Sequence, residues 1–341
     1  MFRRYKEHKK RSSFLPFVIF RTILSLTMFL LLLGGVYSAF QHFSGIDPLK
    51  GDPKAIILNL LNQPELRSIL EKVPVSLPIN LPDPDSIGAE SQAIGQSQGK
   101  VVRQGNINFK FLLVADSHNE NNNLRKAIDQ AKQQGIELII GLGDYTETGT
   151  TDELLKVKQE LDQSGIRYFV TAGDHDLWDA RDKQKKAYDN FVSVFGYPYQ
   201  TFEYRGVQFL IIYNSDNYLG LGNEQLGWLN LELEKQQDSK PYFVLMHEPL
   251  YHPSSDRVMG KNEEALKTEV QSLIKLFKNS GVEEVFSGDV HFFTRYKEPQ
   301  TGLKMTTVGS LASLRNVQSP RFAIVTVYQD GGYEVEDIEV K

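Results

Sequence analysis

The stretch FKFLLVADSH, residues 109–118, decides the fold, because a strand ends within it and polar side chains follow at once. Residues 109–115 have the length and apolar composition of a β-strand. Further predicted strands end in the same way, at residues 138–142, 167–172, 242–246 and 284–287. Since the carboxyl ends of strands in an α/β sheet open on one crevice, we expect the side chains that follow them to converge there.

Five short motifs carry these polar side chains. In chain order they are Asp116-Ser117-His118, Gly143-Asp144, Gly173-Asp174-His175-Asp176, His247-Glu248-Pro249 and Gly288-Asp289-Val290-His291. Each motif alone is common, since Gly-Asp marks many turns. Their order, spacing and strand context carry the signal, because scattered carboxylates and imidazoles at loop tips suit a cluster of divalent metal ions.

Helical patterns separate these strands. The predicted helices cover residues 122–135, 152–164, 183–195, 224–236 and 263–279. A β-hairpin is predicted at residues 201–204 and 207–213, and closing strands at residues 304–308, 321–328 and 333–340. Alternating strands and helices followed by several strands predict an α/β fold, a mixed-sheet β-sandwich flanked by helices.

The motif pattern resembles the calcineurin-like metallophosphoesterases, a superfamily of two-metal hydrolases. The resemblance covers residues 109–327. It implies that Asp116, His118 and His291 bind a first metal ion, and that Asp144 bridges both ions. It also implies a catalytic role for His175, which matches the family's histidine that orients or protonates the leaving group.

The second metal is where this chain departs from the family. The family usually has Asn where this chain has Asp174, and His where it has Asp289. Both replacements are oxygen donors, so the resemblance implies a second ligand set of Asp144, Asp174, Asp289 and His247. Three carboxylates and one imidazole favour Mn²⁺, while Fe, Mg²⁺, Ca²⁺ and Zn²⁺ are also able to bind.

The implied activity is hydrolysis of phosphomono- or phosphodiesters by a hydroxide held between two ions. The two altered positions also support an alternative, a catalytically impaired metal-binding scaffold or sensor on the same fold. Candidate phosphate contacts near the motifs are Arg181, Arg257 and Arg295. Tyr145 and Trp178 could line a substrate groove, although ordinary packing explains them equally well. The sequence assigns no substrate-binding residue.

Composition excludes several classes of function. The chain of 341 residues is 40% hydrophobic and 24% charged, and its formal net charge is −5. No basic surface is indicated, so nucleic-acid binding is not expected. The absence of cysteine excludes disulfides, thiolate zinc sites and iron–sulfur clusters. The oligomeric state is not readable.

The first forty residues predict a membrane anchor. Residues 1–13 form a basic tail, and the uncharged run 22–40 makes residues 14–40 a candidate transmembrane signal anchor. Because basic residues stay on the cytoplasmic side, the N-terminus should be cytoplasmic and the later chain extracytoplasmic at the cell membrane. A signal peptide cleaved after Val36-Tyr37-Ser38 is the alternative.

Composition changes again after the anchor. Residues 41–105 begin with a helical apolar pattern and continue into proline-rich and then Ser, Gly and Gln-rich sequence, which predicts a juxtamembrane helix and a flexible linker. The helix could lie on the domain as a spacer or form a dimer contact. Residues 106–341 form the predicted metallophosphoesterase domain.

Overall fold

The computed structural model describes residues 105–216, 218–235, 242–261, 263–314 and 316–341, together with Met28, Gly34 and Gly35. The predicted basic tail, nearly all of the predicted anchor and the predicted linker up to residue 104 lie outside the described residues. Within the described part of the chain, no helix is both long enough and apolar enough to cross a membrane.

The described domain alternates strands and helices. Its strands are β1 (Ile107–Val114), β2 (Leu138–Gly141), β3 (Arg167–Val170), β4 (Gln200–Tyr204), β5 (Val207–Ile211), β6 (Tyr242–Leu245), β7 (Glu284–Ser287), β8 (Thr294–Lys297), β9 (Lys304–Thr307), β10 (Arg321–Tyr328) and β11 (Tyr333–Glu339). Its α-helices are α1 (Asn121–Gln133), α2 (Thr151–Ser164), α3 (Trp178–Asp182), α4 (Asp189–Phe195), α5 (Gly222–Glu234) and α6 (Glu264–Asn279), and a 3₁₀ turn covers His175–Leu177.

The strands form two mixed sheets. One has the order β11-β10-β1-β2-β3 and the other β4-β5-β6-β7-β9-β8. In the first sheet β1, β2 and β3 are parallel, and in the second β5, β6, β7 and β9 are parallel. The predicted mixed-sheet α/β sandwich is therefore confirmed, and the loops that follow the parallel strands carry all five motifs.

The main core lies between the sheets, and β1 shows why its sequence is apolar on both faces. Phe111 and Leu113 point to the inter-sheet core, where the Phe111 and Phe209 rings meet edge to face at 5.3 Å. Leu112 and Val114 point the other way, into the core beneath the helices. Successive side chains of a strand alternate between faces, so a strand between two apolar layers reads as a continuous hydrophobic run.

A capping box begins helix α2 directly after the second motif. The Thr150 hydroxyl accepts a hydrogen bond from the Glu153 backbone N–H at 3.2 Å, and the Glu153 carboxylate accepts one from the Thr150 N–H at 3.0 Å. The same carboxylate accepts a hydrogen bond from the Asn119 side-chain amide at 2.6 Å. The start of α2 is thereby joined to the loop after β1, which carries the first motif.

Two predictions of local structure were wrong. The helix predicted at residues 183–195 forms only over Asp189–Phe195, because Gln184 has a left-handed φ of 56° and the Asp189 carboxylate accepts the Lys186 N–H at 3.2 Å, which starts a new helix. Strand β8, a short edge strand with alternating exposure, was not predicted; within the described residues its one partner is β9.

Candidate metal centre

The motif residues lie on backbone that turns sharply at the ends of the strands. Five of them have left-handed φ angles between 41° and 67°: Asp116, His118, Asp144, Asp289 and His291. This conformation costs a non-glycine residue on the order of 1–2 kcal/mol. Backbone hydrogen bonds hold it, since Asp116 N–H donates to the Gly143 carbonyl and His118 N–H to the Asp144 carbonyl, both at 3.0 Å.

Four buried side chains form what we call the first cluster: Asp116, His118, Asp144 and His291. One ligand atom from each lies within 4.8 Å of all the others. His118 Nε2 is 3.4 Å from His291 Nε2 and 3.7 Å from Asp144 Oδ2. His291 Nε2 is 4.0 Å from Asp116 Oδ1. Two loops of the first sheet and one of the second therefore meet at this point.

Asp144, Asp174 and His247 form the second cluster, again with one ligand atom from each within 4.8 Å of the others. His247 Nε2 lies 3.5 Å from Asp144 Oδ1 and 3.7 Å from Asp174 Oδ1. Asp144 is common to both clusters, and its two oxygens face different imidazoles. A carboxylate in this position can bridge two cations.

The orientation of the His247 ring is fixed from behind. Its Nδ1 lies 2.8 Å from the Leu142 carbonyl oxygen, which can only accept, so Nδ1 carries the proton. Nε2 is then the nitrogen that would offer its lone pair to an ion bound in the second cluster. Such a backing hydrogen bond is typical of histidines that bind metals.

The two clusters fit divalent ions. Ligand atoms that bind one ion at about 2.0–2.2 Å lie roughly 3–3.5 Å apart, close to the separations measured here. Two ligand atoms, Asp116 Oδ2 and His247 Nε2, are buried and have no hydrogen-bond partner. Buried polar atoms without partners are costly, and a cation bound between these residues would satisfy both.

Burial and the neighbouring charges shift the pKa values of both central carboxyl groups. Desolvation raises the pKa of Asp116 well above its usual range, although nearby His247 acts in the opposite direction. Burial also acts to raise the pKa of Asp144, but His247 and the other imidazoles outweigh it, and the pKa is lowered. Asp144 is therefore ionised at neutral pH, as a bridging ligand must be.

Asp289 lies outside both clusters. Its Oδ1 is 3.7 Å from Arg257 Nη1, which also donates a hydrogen bond to the Asp289 carbonyl at 3.1 Å and lies 3.4 Å from His291 Nε2. The Asp289 N–H donates to Asp116 Oδ1 at 3.1 Å. The structure thus brings together six of the seven predicted ligands and places the seventh beside an arginine.

His175 lies beside the first cluster. Its Nδ1 is 2.9 Å from the Glu147 carbonyl oxygen, and its ring stacks on the Trp178 ring with centroids 3.8 Å apart. The backbone N–H of His175 donates to Asp144 Oδ1 at 2.9 Å. His118, Glu147 and His175 each have one ligand atom within 4.8 Å of those of the other two. Since Nδ1 faces a carbonyl, Nε2 remains as the nitrogen that can exchange a proton.

Asp176, the last residue of the third motif, joins two motif loops, whereas the partner of His175 Nδ1 is the Glu147 carbonyl. The buried carboxylate of Asp176 accepts hydrogen bonds from Gly173 N–H at 2.9 Å, Thr146 N–H at 3.1 Å and the Thr146 hydroxyl at 2.8 Å. Asp176 therefore joins the second and third motif loops. The Glu147 carbonyl holds His175 in its place.

Several residues that support the site were not predicted from the sequence. The Asn214 side-chain oxygen accepts hydrogen bonds from the His247 and Glu248 N–H groups, both at 3.1 Å. The Ser310 hydroxyl donates to the Asp116 carbonyl at 2.8 Å. Glu248 is buried, and burial together with the Asp289 carboxylate raises its pKa well above the usual range. A signal existed for Asn214, because it follows a buried strand as the motifs do.

The candidate arginines and Tyr145 have different surroundings in the structure. Arg181 lies 3.3 Å from Asp216, and Arg295 donates to the buried carboxylate of Glu284 at 2.9 Å. Tyr145 is 1% exposed, so it belongs to the core rather than to a groove wall. Of the three arginines, only Arg257 directly contacts residues predicted to bind metal.

Comparison with known proteins identifies the family pattern. The model of the calcineurin-like phosphoesterase family matches residues 109–293. A curated relative, the probable glycerophosphodiester phosphodiesterase of Arcobacter nitrofigilis, is 27% identical over 116 residues, which are 33% of this chain and 42% of that protein. The match thus spans about two fifths of the relative's length.

Solved structures share the fold. A dimetal phosphatase from Danio rerio has a TM-score of 0.50 and 16% identity, over 69% of this chain and 100% of that one. A purple acid phosphatase from yellow lupin, Lupinus luteus, also has a TM-score of 0.50, with 14% identity over 68% of this chain and 51% of that one. At these identities the likeness concerns the fold alone.

Asp144→Asn should remove more bound metal than any other single change in the site, because Asp144 is shared by both clusters. We expect Mn²⁺ per chain to fall from two ions to one or none, measured by elemental analysis after equilibrium dialysis. Asp174→Asn should affect one ion only. Asp129→Asn, on the exposed face of α1, is the matched control. Full Mn²⁺ content in Asp144→Asn would contradict the shared role.

His252 should make the fold sensitive to acid. Burial lowers its pKa from 6.5 to about 4, and its Nδ1 accepts hydrogen bonds from the Ser254 and Ser255 N–H groups. Below pH 6.5 the unfolded chain binds a proton at this residue that the folded chain does not, so stability falls as pH decreases. At 1.36 kcal/mol per pH unit the loss reaches about 3 kcal/mol near pH 4.

Replacing this histidine tests the effect. In His252→Asn the side-chain oxygen can still accept the Ser255 N–H, but nothing titrates at that position. Urea unfolding from pH 7 to pH 4 should therefore show a smaller loss of stability in the variant than in the unchanged chain. Parallel pH profiles for the two proteins would contradict the assignment.

Proposed function

We propose that this chain, which belongs to the calcineurin-like phosphoesterase family, is a membrane-anchored extracytoplasmic enzyme that hydrolyses phosphomono- or phosphodiesters with two divalent ions. The observation that carries the proposal is the pair of acidic and imidazole clusters that share Asp144.

Each cluster has a proposed metal. Asp116, His118 and His291 would hold the first ion, Asp174 and His247 the second, and Asp144 both. When bound, the two ions would supply an activated water and offset the charge that develops on the phosphoryl oxygens. The oxygen-rich second cluster supports Mn²⁺ as the preferred ion.

Asp289 is the remaining proposed ligand of the second ion. Because its Oδ1 also lies 3.7 Å from Arg257 Nη1, the ion and the guanidinium compete for this carboxylate. The competition would make the second ion the weaker of the two. A weakly held second ion supports the alternative function, a metal-binding scaffold or sensor with impaired catalysis.

His175 is the proposed general acid. In the reaction the water oxygen forms a new bond to phosphorus, and the bond from phosphorus to the leaving oxygen breaks. The leaving oxygen takes a proton from His175 Nε2, while the proton lost by the attacking water passes to solvent, from which His175 is protonated again. The Glu147 carbonyl and the Trp178 ring hold the imidazole in place for this transfer.

Arg257 is the proposed phosphate contact. Its guanidinium lies at the edge of the first cluster, 3.4 Å from His291 Nε2, and is only partly exposed. Arginine suits this role, since its planar donors match phosphoryl oxygens in pairs. The proposed substrate therefore enters beside the loop that follows β6.

Location and domain organisation extend the proposal beyond the described domain. The basic residues 1–13 would remain cytoplasmic, residues 14–40 would anchor the chain, and residues 41–105 would link the anchor to the catalytic domain of residues 106–341. The uncharged run 22–40 supports this arrangement. The net charge of −5 supports a small phosphoester rather than a nucleic acid as substrate.

His175→Gln tests the proposed chemistry. With Mn²⁺ bound, kcat on a dialkyl phosphodiester should fall roughly 10²–10⁴-fold, because an alkoxide leaving group needs a proton. On bis-nitrophenyl phosphate the loss should be much smaller, since nitrophenolate leaves without one. Metal content should not change. An equal loss of kcat on both substrates would contradict the general-acid role. If the unchanged chain hydrolyses neither substrate with both ions bound, the scaffold alternative is supported instead.

Arg257→Gln should raise KM for phosphoesters roughly tenfold or more, with a smaller rise for Arg257→Lys, because lysine retains charge but loses paired donors. Steady-state kinetics on bis-nitrophenyl phosphate measure both constants. The matched control is Arg125→Gln, an exposed arginine of α1 that pairs with Glu160. An unchanged KM in Arg257→Gln would exclude a phosphate contact.

A further inference from the structure

Exposed apolar side chains are concentrated around the metal centre. Within the described part of residues 105–341, nine large hydrophobic residues are 38–78% exposed, and six of them lie at the edge of the sheets that carries the motifs. We call these six the apolar rim: Trp178, Tyr197, Tyr218, Leu219, Leu314 and Val317. Leu219 and Leu314 are 73% and 78% exposed, so they contribute little to the core.

The topology places the rim residues at one edge. Trp178 follows β3, Tyr218 and Leu219 follow β5, and Leu314 and Val317 follow β9. All three strands are parallel strands whose carboxyl ends face the motifs. Tyr197 precedes β4, which is antiparallel to β5 with Gln200 opposite Ile211, so it lies at the same edge.

Direct contacts join the rim to the site. The Trp178 ring stacks on His175 at 3.8 Å. Arg181 and Asp216 lie 3.3 Å apart and join the loop of Trp178 to that of Tyr218. On the other side, the loop of Leu314 is held by hydrogen bonds from Ser313 N–H to Glu120 at 2.6 Å and from Ala312 N–H to the Asp116 carbonyl at 3.0 Å.

We propose that the apolar rim rests on the surface of a lipid bilayer and that the substrate is a phosphoester of an amphiphilic lipid, such as a glycerophospholipid, whose phosphate lies at that surface. The inference rests on the proposed function and names the substrate class for the same site. Hydrolysis breaks one P–O ester bond of the lipid. The water oxygen bonds to phosphorus, and the departing alcohol oxygen takes the proton from His175.

The composition of the rim favours a bilayer over a protein partner. Three of its six residues are tryptophan or tyrosine, whose rings are apolar at one end and polar at the other and which are enriched at membrane–water interfaces. The rest are aliphatic side chains able to enter the acyl boundary. Binding of a water-soluble phosphate ester does not require exposed apolar side chains around the site.

The remaining chain also favours a bilayer. The same polypeptide carries the uncharged run 22–40 before the domain. Sixty-four residues, 41–104, separate that run from the described domain. A chain of this length spans at most roughly 210–230 Å at about 3.3–3.6 Å per residue, several times the domain diameter of roughly 45 Å expected from its size. A connection of this length permits the rim to face the membrane.

Tryptophan fluorescence tests the contact with the bilayer. The chain has two tryptophans, Trp178 in the rim and Trp228 on α5. In Trp228→Phe the remaining signal comes from Trp178 alone. The full chain, reconstituted in phosphatidylcholine vesicles, should lose much of this signal when the acyl chains carry bromine. An unquenched Trp178 would overturn the proposal.

Activity provides the second test. Leu219→Ser with Leu314→Ser should reduce hydrolysis of a glycerophospholipid in those vesicles about tenfold or more, because two apolar anchors are lost. Hydrolysis of soluble bis-nitrophenyl phosphate should stay within about twofold, since neither residue lies in the site. The matched control is Leu155→Ser with Leu231→Ser, which are 48% and 59% exposed on helices α2 and α5.

The outcomes separate the two proposals. The lipid inference would be overturned if the rim pair and the control pair reduced lipid hydrolysis equally. It would also be overturned if the unchanged chain hydrolysed the soluble diester but not the lipid. Both results would leave the proposed function standing. In the latter case a protein partner becomes the remaining occupant of the rim. Loss of both activities in the unchanged chain would instead contradict the proposed function.

Discussion

Three backbone hydrogen bonds between the first two motif loops determine the geometry of the site. Asp116, His118 and Asn119 donate their N–H groups to the carbonyls of Gly143, Asp144 and Tyr145 at 2.9–3.0 Å. They continue the pairing of β1 with β2 past the ends of both strands, into backbone of left-handed conformation. Because each bond fixes one loop against the other, the ligand atoms of both loops are held before any ion binds, as a preorganised site requires.

Glycine completes this arrangement at two positions. A Cβ on Gly143 would meet the backbone of Gly173 and the His247 ring, and a Cβ on Gly173 would overlap the Asp144 carboxylate. The second and third motif loops therefore touch backbone to backbone, and the His247 ring of the fourth motif packs against Gly143. The Asp176 carboxylate stabilises this contact by accepting hydrogen bonds from the backbone N–H groups of Gly173 and Thr146. The motif glycines are thus explained by close approach rather than by flexibility.

The sequence predicts what depends on local pattern and fails where distant loops decide. Strand ends are readable, because apolar runs stop at polar residues, and the order of these ends predicted six side chains that the structure brings together. The partner of Asp289 was not readable, since Arg257 comes from a loop thirty-two residues earlier. The carbonyl that holds His175 was equally hidden, because backbone oxygens carry no sequence signal. The broken helix near Gln184 depends on a single dihedral angle that no periodicity encodes.

Sharing Asp144 between two clusters has a thermodynamic consequence. An ion bound to one oxygen of the carboxylate would withdraw charge from the other, which faces a different imidazole. Each ion therefore alters the affinity for the other by the same factor, as linkage requires. Because the reaction uses both ions, turnover would then depend on metal concentration more steeply than a single binding curve. The bridging carboxylate would make the enzyme responsive to the supply of metal, without any separate regulatory site.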